Sequence, residues 1–315
     1  MARSADARTL RAGERAMQTP KIPRKAAAGL VILGVFFLMA LVGPLVAPHD
    51  PMAFVDIPLQ PPSRVHLLGT TGQGQDVWSQ TIAGARSSLL VGFVAGLMMT
   101  TIGAIVGAVA GTFGGLVDDV LSLLTNVSLV IPALPLAVVL AAYLPAGTRA
   151  LLVVLVTTGW AWNARVVRAQ VLSLRNKDFV AAAIVTGESR LHIVFREILP
   201  NMTSVLASCF ISATVYAIGA QVGLEFLGLG DMSLVTWGTN LYWASNDAAL
   251  LTGAWWTLVP TGLSVALVGT ALVLVSFSLD EITNPRLRAV SASARALAAR
   301  GIRMGASTPV VRDHG

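Results

Sequence analysis

The composition of this 315-residue chain places it in a membrane, because 55% of its residues are hydrophobic, 12% are charged and its mean hydropathy is +0.72. A soluble domain carries about 25% charged residues, so a soluble enzyme or binding protein is excluded. The single cysteine, Cys209, excludes an internal disulfide and a multi-cysteine metal site, and the four histidines lie apart in polar segments at positions 49, 66, 192 and 314. We therefore expect no catalytic centre and no metal site.

The N-terminal region predicts an arm, a first span and an external segment. Residues 1–25 hold seven Lys and Arg and form a basic arm. Residues 26–48 carry no charge, and a helix of that length is about 35 Å long, enough to cross a hydrocarbon core of about 30 Å. A cleaved signal peptide is the alternative, although its apolar core is only about 7–15 residues. Residues 49–86 are polar and rich in Gly and Pro, and we expect them to lie outside the cell.

Residues 87–285 predict a core of five further membrane helices. The second helix covers the uncharged stretch 87–117, and we expect its glycines to mark faces for close helix packing: Gly92, Gly96, Gly103, Gly107 and Gly111. We expect Asp118 and Asp119 to mark the cytoplasmic start of the third helix, at the positive end of its dipole. Pro132 and Pro135 break that helix, and we expect the kink to face a translocation path.

The fourth predicted helix begins near Ala150 and becomes polar at Asn163, Arg165 and Arg168. An arginine at the bilayer centre costs about 2.5–3.5 kcal/mol on insertion scales. We therefore expect Arg165 and Arg168 to lie at the cytoplasmic surface of the membrane.

Residues 178–201 are less apolar than the spans around them and predict two short helices with a hinge. Small side chains at Ala181, Ala182 and Ala183 predict a face that another surface approaches closely. Gly187 permits a turn where a Cβ would be an obstruction, and Pro200 closes the segment.

The fifth predicted helix, residues 202–226, contains several polar side chains that could line a wet pathway or bond to the backbone and to neighbouring helices: Ser208, Ser212, Gln221 and Glu225. Residues 231–247 predict an external loop with Trp237 and Trp243 at the membrane interface. A sixth helix follows and ends near Leu279, and residues 289–315 predict a disordered tail.

Several of these residues resemble a known family. Ala182, Ala183, Gly187 and Ile193, with Leu199-Pro200, resemble the EAA loop of ATP-binding-cassette (ABC) importer permeases, the cytoplasmic coupling helix that docks on the ATPase subunit. An ordinary amphipathic surface helix is the alternative for this stretch. Further matches to C-type dipeptide and oligopeptide permeases lie before the second helix and at the end of the sixth: Gly69-Thr70, Gly74, Asp76-Val77, Ser79, Gly84-Ala85-Arg86 and the run DEITNPRLR.

The resemblance implies an all-α integral membrane protein with six transmembrane helices and the type I ABC importer (MetI-like) permease fold, with both termini in the cytoplasm. The basic residues agree with this orientation. The arm, the loop 163–200 and the end after Pro285 hold 7, 6 and 6 of the 22 Lys and Arg. Membrane orientation therefore accounts for the net charge of +6, so membrane lipid is an expected partner and nucleic acid is not.

The function implied by the resemblance is that of a C-type permease subunit in the cell membrane of a prokaryote. It would form half of the path for di- or oligopeptides with a B-type permease, coupled to two cytoplasmic ATP-binding subunits and an external substrate-binding protein. The EAA-like residues implied to contact the ATPase are Ala181, Ala182, Ala183, Gly187, Ile193, Leu199 and Pro200. The chain has no Walker A sequence, so ATP and Mg²⁺ would bind the partner subunits and no cofactor would bind here.

Three other functions stay open at this point. Nickel or glutathione permeases belong to the same family and differ in cargo. A secondary transporter would need ionisable residues in its spans or internal repeats, and Glu225 is the only such charge in the predicted span interiors. A membrane enzyme would need clustered His, Cys or carboxylate groups at membrane depth.

Overall fold

The computed structural model describes residues 24–283, apart from the side chains of Pro44 and residues 280–283. The predicted basic arm before residue 24, the tail 289–315 and most of the family-like run DEITNPRLR lie outside the described residues.

The described chain is helical, and its only β pairing is a single bridge between Thr70 and Asp76. In chain order the helices are α1 (Arg24–Val46), α2 (Val77–Phe113), α3 (Gly115–Val130), α4 (Ala133–Tyr143), α5 (Thr148–Leu174), α6 (Asp178–Val185), α7 (Arg190–His192), α8 (Thr203–Phe226), α9 (Trp237–Asn246) and α10 (Val259–Thr283). A π-helical turn, Ile193–Ile198, and a 3₁₀ turn, Leu199–Met202, join α7 to α8, and a second 3₁₀ turn, Trp255–Thr257, precedes α10.

Five stretches of the described chain are helices long and apolar enough to cross a membrane; they contain α1, α2, α5, α8 and α10. A sixth span is formed if α3 and α4 are taken together, and these two helices are bent by 86° at the break between them. Pro132 is the N-cap of α4 and Pro135 lies in its first turn. The described chain thus has five continuous spans, and it reaches the predicted six when α3 and α4 are counted as one broken span whose break lies at the predicted prolines.

The second span begins earlier than the sequence predicted, at Val77 and not near Ser87. Asp76 caps the new start, because its carboxylate accepts the Ser79 N–H at 2.8 Å. Hydropathy misses this first part of α2 because polar residues such as Gln80 lie on it. The predicted boundary between an external segment 49–86 and a core 87–285 therefore falls inside one helix.

Helix α2 is the central helix of the bundle, and its glycines permit that position. Gly96 lies against Thr214 of α8, and Gly103 and Gly107 lie against Asn163 and Ala164 of α5. A Cβ at any of the three glycines would overlap its neighbour. The predicted close packing at these glycines is confirmed, and the partner helices belong to this same chain.

The bundle has two distinct ends. At one, here called the loop end, α2 and α5 finish and the segment 178–201 begins. The opposite end is covered by the irregular residues 47–76 together with α9, which we call the cap.

Trp237 anchors the cap to the bundle. Its side chain is fully buried, its indole N–H donates to the Thr81 carbonyl at 3.2 Å, and its ring meets Phe36 edge-on at 5.8 Å. The prediction that Trp237 is an interfacial aromatic is wrong. The signal was ambiguous because a tryptophan beside a membrane helix can equally fill a pocket between helices.

Candidate functional site

The EAA-like segment 178–201 lies at the loop end as two short helices joined at Gly187. Helix α6 ends in a Schellman motif, in which the Gly187 N–H donates to the Ile184 carbonyl at 3.0 Å and the Glu188 N–H to Ala183 at 3.1 Å. Gly187 has a φ of +81°, and a Cβ there would meet nothing within 4 Å. The glycine is therefore required for its left-handed backbone, and the predicted steric obstruction is absent.

One face of this segment is packed against the bundle. Val180 and Ala183 of α6 are buried, as are Ile193 and Ile198 in the turn that follows α7. They form a hydrophobic cluster with buried residues of α2 and α5: Ala108, Val167 and Val171. This cluster holds the segment in a fixed orientation at the ends of two central spans.

The opposite face of the segment is open and apolar. Its large exposed residues, with their exposed fractions, are Ile184 (61%), Val185 (88%), Leu191 (55%) and Phe195 (64%). Of the predicted small-residue face, Ala181 and Ala182 are exposed while Ala183 packs inward. Leu199 is half-buried and Pro200 is exposed. We call Ile184, Val185, Leu191 and Phe195 the apolar face of the segment.

Two arginines attach the same region to the C-terminal end of α2. The Arg175 guanidinium donates to the Gly111 carbonyl at 3.2 Å, and that of Arg190 donates to the Phe113 carbonyl at 3.5 Å. Arg190 also lies 6.0 Å from the centroid of the Phe113 ring. Both contacts place positive charge at the negative end of a helix dipole, which is a stabilising arrangement.

The predicted basic pair at the end of the fourth span makes contacts to α3. The guanidinium of Arg168 donates to both carboxylate oxygens of Asp118, at 2.6 and 2.7 Å. Arg165 donates to the Asn126 side chain at 3.1 Å. The two arginines lie on the C-terminal half of α5, toward the loop end, and they link it to the first half of the broken span.

Of the residues predicted to line a pathway, some are accessible on this single chain and others are buried in it. Pro132, Pro135 and Ser212 are exposed in this single chain, and Ser208 is half-buried. Gln221 and Glu225 are instead buried.

Glu225 attaches α8 to the cap. One of its oxygens accepts the Thr236 hydroxyl at 2.6 Å, the other accepts the Gln221 amide at 3.1 Å, and the Gly238 N–H is a further donor. The donors at Thr236 and Gly238 lie at the start of α9. In the described chain this carboxyl group therefore binds the N-terminus of a helix, which is a favourable site for a carboxylate.

Comparison with known proteins identifies the family. Residues 78–289 match the model of the binding-protein-dependent transport system inner membrane component, and residues 24–62 match that of the N-terminal transmembrane domain of oligopeptide transport permease C. This chain belongs to the binding-protein-dependent transport permeases. It is a multi-pass subunit of the bacterial inner membrane, as the resemblance implied.

Curated relatives align with most of the length of this chain. The dipeptide transport system permease protein DppC of Bacillus subtilis is 34% identical, over 84% of this chain and 82% of the relative. The oligopeptide transport system permease protein OppC of Mycobacterium tuberculosis is 34% identical, over 86% of this chain and 94% of the relative. A solved structure of the MetNI methionine ABC transporter, in inward-facing conformations, is 21% identical with a TM-score of 0.49, over 67% of the permease and 96% of that chain.

Sequence reasoning missed three residues at the loop end of the permease, namely Asp118 as the partner of Arg168, and the two helix-capping arginines Arg175 and Arg190. One signal was available for the ion pair. Charged residues near membrane depth are paired as a rule, and Asp118 and Arg168 were both expected near the same surface. The caps had no such signal, because contacts of Arg175 and Arg190 to carbonyl oxygens depend on how α2 meets the EAA-like segment.

Proposed function

We propose that this chain is the C-type permease subunit of an ATP-driven peptide importer and that the apolar face at the loop end docks on the ATP-binding subunits. The observation that carries the proposal is that Val185 is 88% exposed at the tip of a helix held rigidly at the end of α2 and α5. On a part of the chain that lies outside the lipid, exposed apolar residues mark an interaction surface. This requires that the loop end face the cytoplasm, as the distribution of Lys and Arg predicts.

The contacts of the EAA-like segment supply a route for coupling. Movement of the EAA-like segment by a partner would act on α5 through Val180 and Ala183 of α6, and on α2 through Arg190 of α7. The pair of Arg168 and Asp118 would extend the movement to α3. A change at the docking face can thus bias the spans between inward-open and outward-open arrangements, as alternating access requires.

The proposed cargo is a di- or oligopeptide. Support comes from the names of the relatives, which are dipeptide and oligopeptide permeases that align along more than four-fifths of this chain. Nickel and glutathione are the alternative cargoes within the family. Secondary transport is less well supported, because the matching family model is that of binding-protein-dependent permeases, and the donors to Glu225 give that carboxylate a structural role at the start of α9.

The proposed assembly contains a B-type permease, two ATP-binding subunits that bind ATP and Mg²⁺, and an external binding protein that delivers the cargo to the cap end. Orientation is tested by cysteine labelling. Labels at residues 55 and 245 should react from outside the cell, and a label at residue 176 should react from the cytoplasm; residue 245 is chosen because it is exposed on α9. Labelling of residue 245 from the cytoplasm would reverse the orientation and end this proposal.

The coupling proposal is tested with the reconstituted complex by measuring peptide uptake and peptide-stimulated ATP hydrolysis. Val185→Glu places an unpaired charge in the proposed interface, which costs several kcal/mol and exceeds a typical coupling free energy of about 1–3 kcal/mol. Uptake should fall at least about tenfold, since each 1.4 kcal/mol is a factor of ten. Asn176→Glu is the matched control, because it adds the same charge at an exposed polar position just before α6. Equal uptake by the two variants would contradict the proposal.

A further inference from the structure

Two histidines and an aspartate that are far apart in sequence meet inside the cap. His49 follows α1, His66 lies within the irregular segment, and Asp76 is the N-cap of α2. The two imidazole rings are 5.1 Å apart between centroids. One donor atom from each of the three side chains can be chosen so that all lie within 4.8 Å of one another. The sequence-based expectation that the histidines are scattered is therefore wrong for this pair.

The separations between these side chains approach those of metal ligands. His66 Nδ1 lies 3.0 Å from Asp76 Oδ1, and His49 Nδ1 lies 3.9 Å from Asp76 Oδ2. Ligands bound tetrahedrally at about 2.0–2.2 Å are about 3.4 Å from one another. An ion would draw the two imidazole nitrogens and one carboxylate oxygen, now within 4.8 Å of one another, to that spacing.

The surroundings resemble the outer shell of a metal site. Asp56 Oδ2 lies 3.6 Å from His66 Nε2, where a carboxylate commonly orients a metal-binding imidazole. Asp76 Oδ2 accepts the Ser79 N–H at 2.8 Å and the Ser79 hydroxyl at 2.7 Å. Those bonds fix the carboxylate and leave Oδ1 as the oxygen that faces His66.

Helix capping alone accounts for only part of this cluster. It explains the bonds between Asp76 and Ser79 and the contact between Asp76 and His66. The side chains of Asp76 and His66 are almost completely buried. It leaves His49 Nδ1 buried with no hydrogen-bond partner among the described residues. A buried nitrogen without a partner is costly, and binding a cation would remove that cost.

We propose that His49, His66 and Asp76 bind a divalent transition-metal ion, with Zn²⁺ the best fit to two imidazole nitrogens and one carboxylate oxygen. Imidazole ligands favour Zn²⁺ and its neighbours over Mg²⁺ and Ca²⁺, which prefer all-oxygen sites. Three protein ligands leave a fourth position for water. The ion would fasten residues 47–76 to the start of α2. That segment is longer than the roughly 12–15 residues beyond which a loop without secondary structure is uncommon.

The test is metal titration of the intact permease complex in detergent or nanodiscs, stripped with a chelator and purified through a tag that lacks histidine. Co²⁺ is added first, because its visible absorption reports nitrogen and oxygen ligands directly, and Zn²⁺ is then used to displace it. His49→Ala removes one ligand and leaves the contact of His66 to Asp76 in place. His192→Ala is the matched control, since His192 also lies near a carboxylate, Glu188 at 3.2 Å, but on the EAA-like segment.

The wild-type complex should show one Co²⁺ site, displaced by Zn²⁺ and not by Mg²⁺ or Ca²⁺. Loss of an outer-shell partner lowers metal affinity by about 10- to 100-fold. His49→Ala removes a ligand itself, so it should lower the Co²⁺ affinity by more than that. Asp56→Asn should weaken it by about 10- to 100-fold, and His192→Ala should leave it unchanged. Absence of a Co²⁺ spectrum in the wild-type complex, or equal affinity in His49→Ala and wild type, would overturn the proposal.

Discussion

Arg168 of α5 and Asp118 in the first turn of α3 form a bidentate ion pair, with nitrogen-to-oxygen distances of 2.6 and 2.7 Å. The side chains are 35% and 16% exposed, so the pair is partly shielded from water. Among the described residues, this ion pair connects α3, the first half of the broken span, to the rest of the bundle. The Ser122 hydroxyl also donates to the same carboxylate, at 2.9 Å, which fixes its orientation.

We expect a double-mutant cycle of Arg168→Gln and Asp118→Asn to show a coupling free energy of about 1 kcal/mol, since partial exposure reduces the value of a bidentate pair. Each single variant should lower thermal stability, and the double variant should be less destabilised than the sum. Arg165→Gln is the control, because Arg165 contacts a neutral side chain. Additive effects would show that the pair makes no net contribution.

Gly187 should tolerate asparagine better than alanine. A left-handed residue with a Cβ costs roughly 1–2 kcal/mol, and asparagine occupies this conformation more readily. Gly187→Ala should therefore lower both the thermal stability of the complex and the peptide transported per ATP, and Gly187→Asn should lower them less. Because a Cβ here meets nothing within 4 Å, equal losses in the two variants would indicate a crowded partner surface and not backbone strain.

Glu225→Gln should loosen the cap. The glutamine amide has one acceptor oxygen where the carboxylate has two, so a buried donor of Thr236 or Gly238 is left without an acceptor. An unsatisfied buried donor costs about 1–3 kcal/mol. The measurement is labelling of Ala244→Cys, a buried position on α9, in a Cys209→Ala background.

The labelling rate at residue 244 should rise in Glu225→Gln, while Ser245→Cys, an exposed neighbour, should react equally in both backgrounds. An unchanged rate at residue 244 would mean that Glu225 does not hold α9.

Two carboxylates outside the spans should give opposite dependences on pH. Burial raises the pKa of Asp247, whose Oδ2 has no hydrogen-bond partner among the described residues. Its ionised form therefore opposes folding of the cap, and that penalty disappears as the pH falls through the raised pKa. Asp247→Asn should be more stable than wild type at pH 7, and the difference should shrink as the solution is acidified.

Asp231 provides the control. The hydroxyl and N–H of Ser233 lower the pKa of Asp231, so its ionised form stabilises the folded loop above the unfolded pKa and the gain is lost as the pH falls through the folded pKa. Asp231→Asn should be less stable than wild type at pH 7. Thermal unfolding from pH 4 to 7 measures both differences, and differences of the same sign would contradict these assignments.

Much of the architecture could be predicted because its signals are local. Uncharged stretches predicted the spans, Pro132 and Pro135 predicted the break, and the pattern around Gly187 predicted two short helices. The start of α2 at Val77 was missed because Gln80 and its polar neighbours face the cap and not lipid, which a hydropathy average does not distinguish.

The contacts that define the site were harder to predict because they join distant segments. The meeting of His49 with His66, and of Glu225 with the start of α9, depends on how the cap folds over the bundle. Glycines such as Gly103 indicated a close helix contact, but the sequence did not show that α5 of the same chain supplies the partner.

The central claim is that the apolar face at the loop end binds the ATP-binding subunit. The most direct measurement is photocrosslinking in the assembled complex, with a photoreactive amino acid at Val185 or at Leu251, which is 91% exposed at the cap end. The account predicts that residue 185 crosslinks to the ATP-binding subunit and that residue 251 does not. Crosslinking of the ATP-binding subunit through residue 251, or of lipid alone through residue 185, would contradict it.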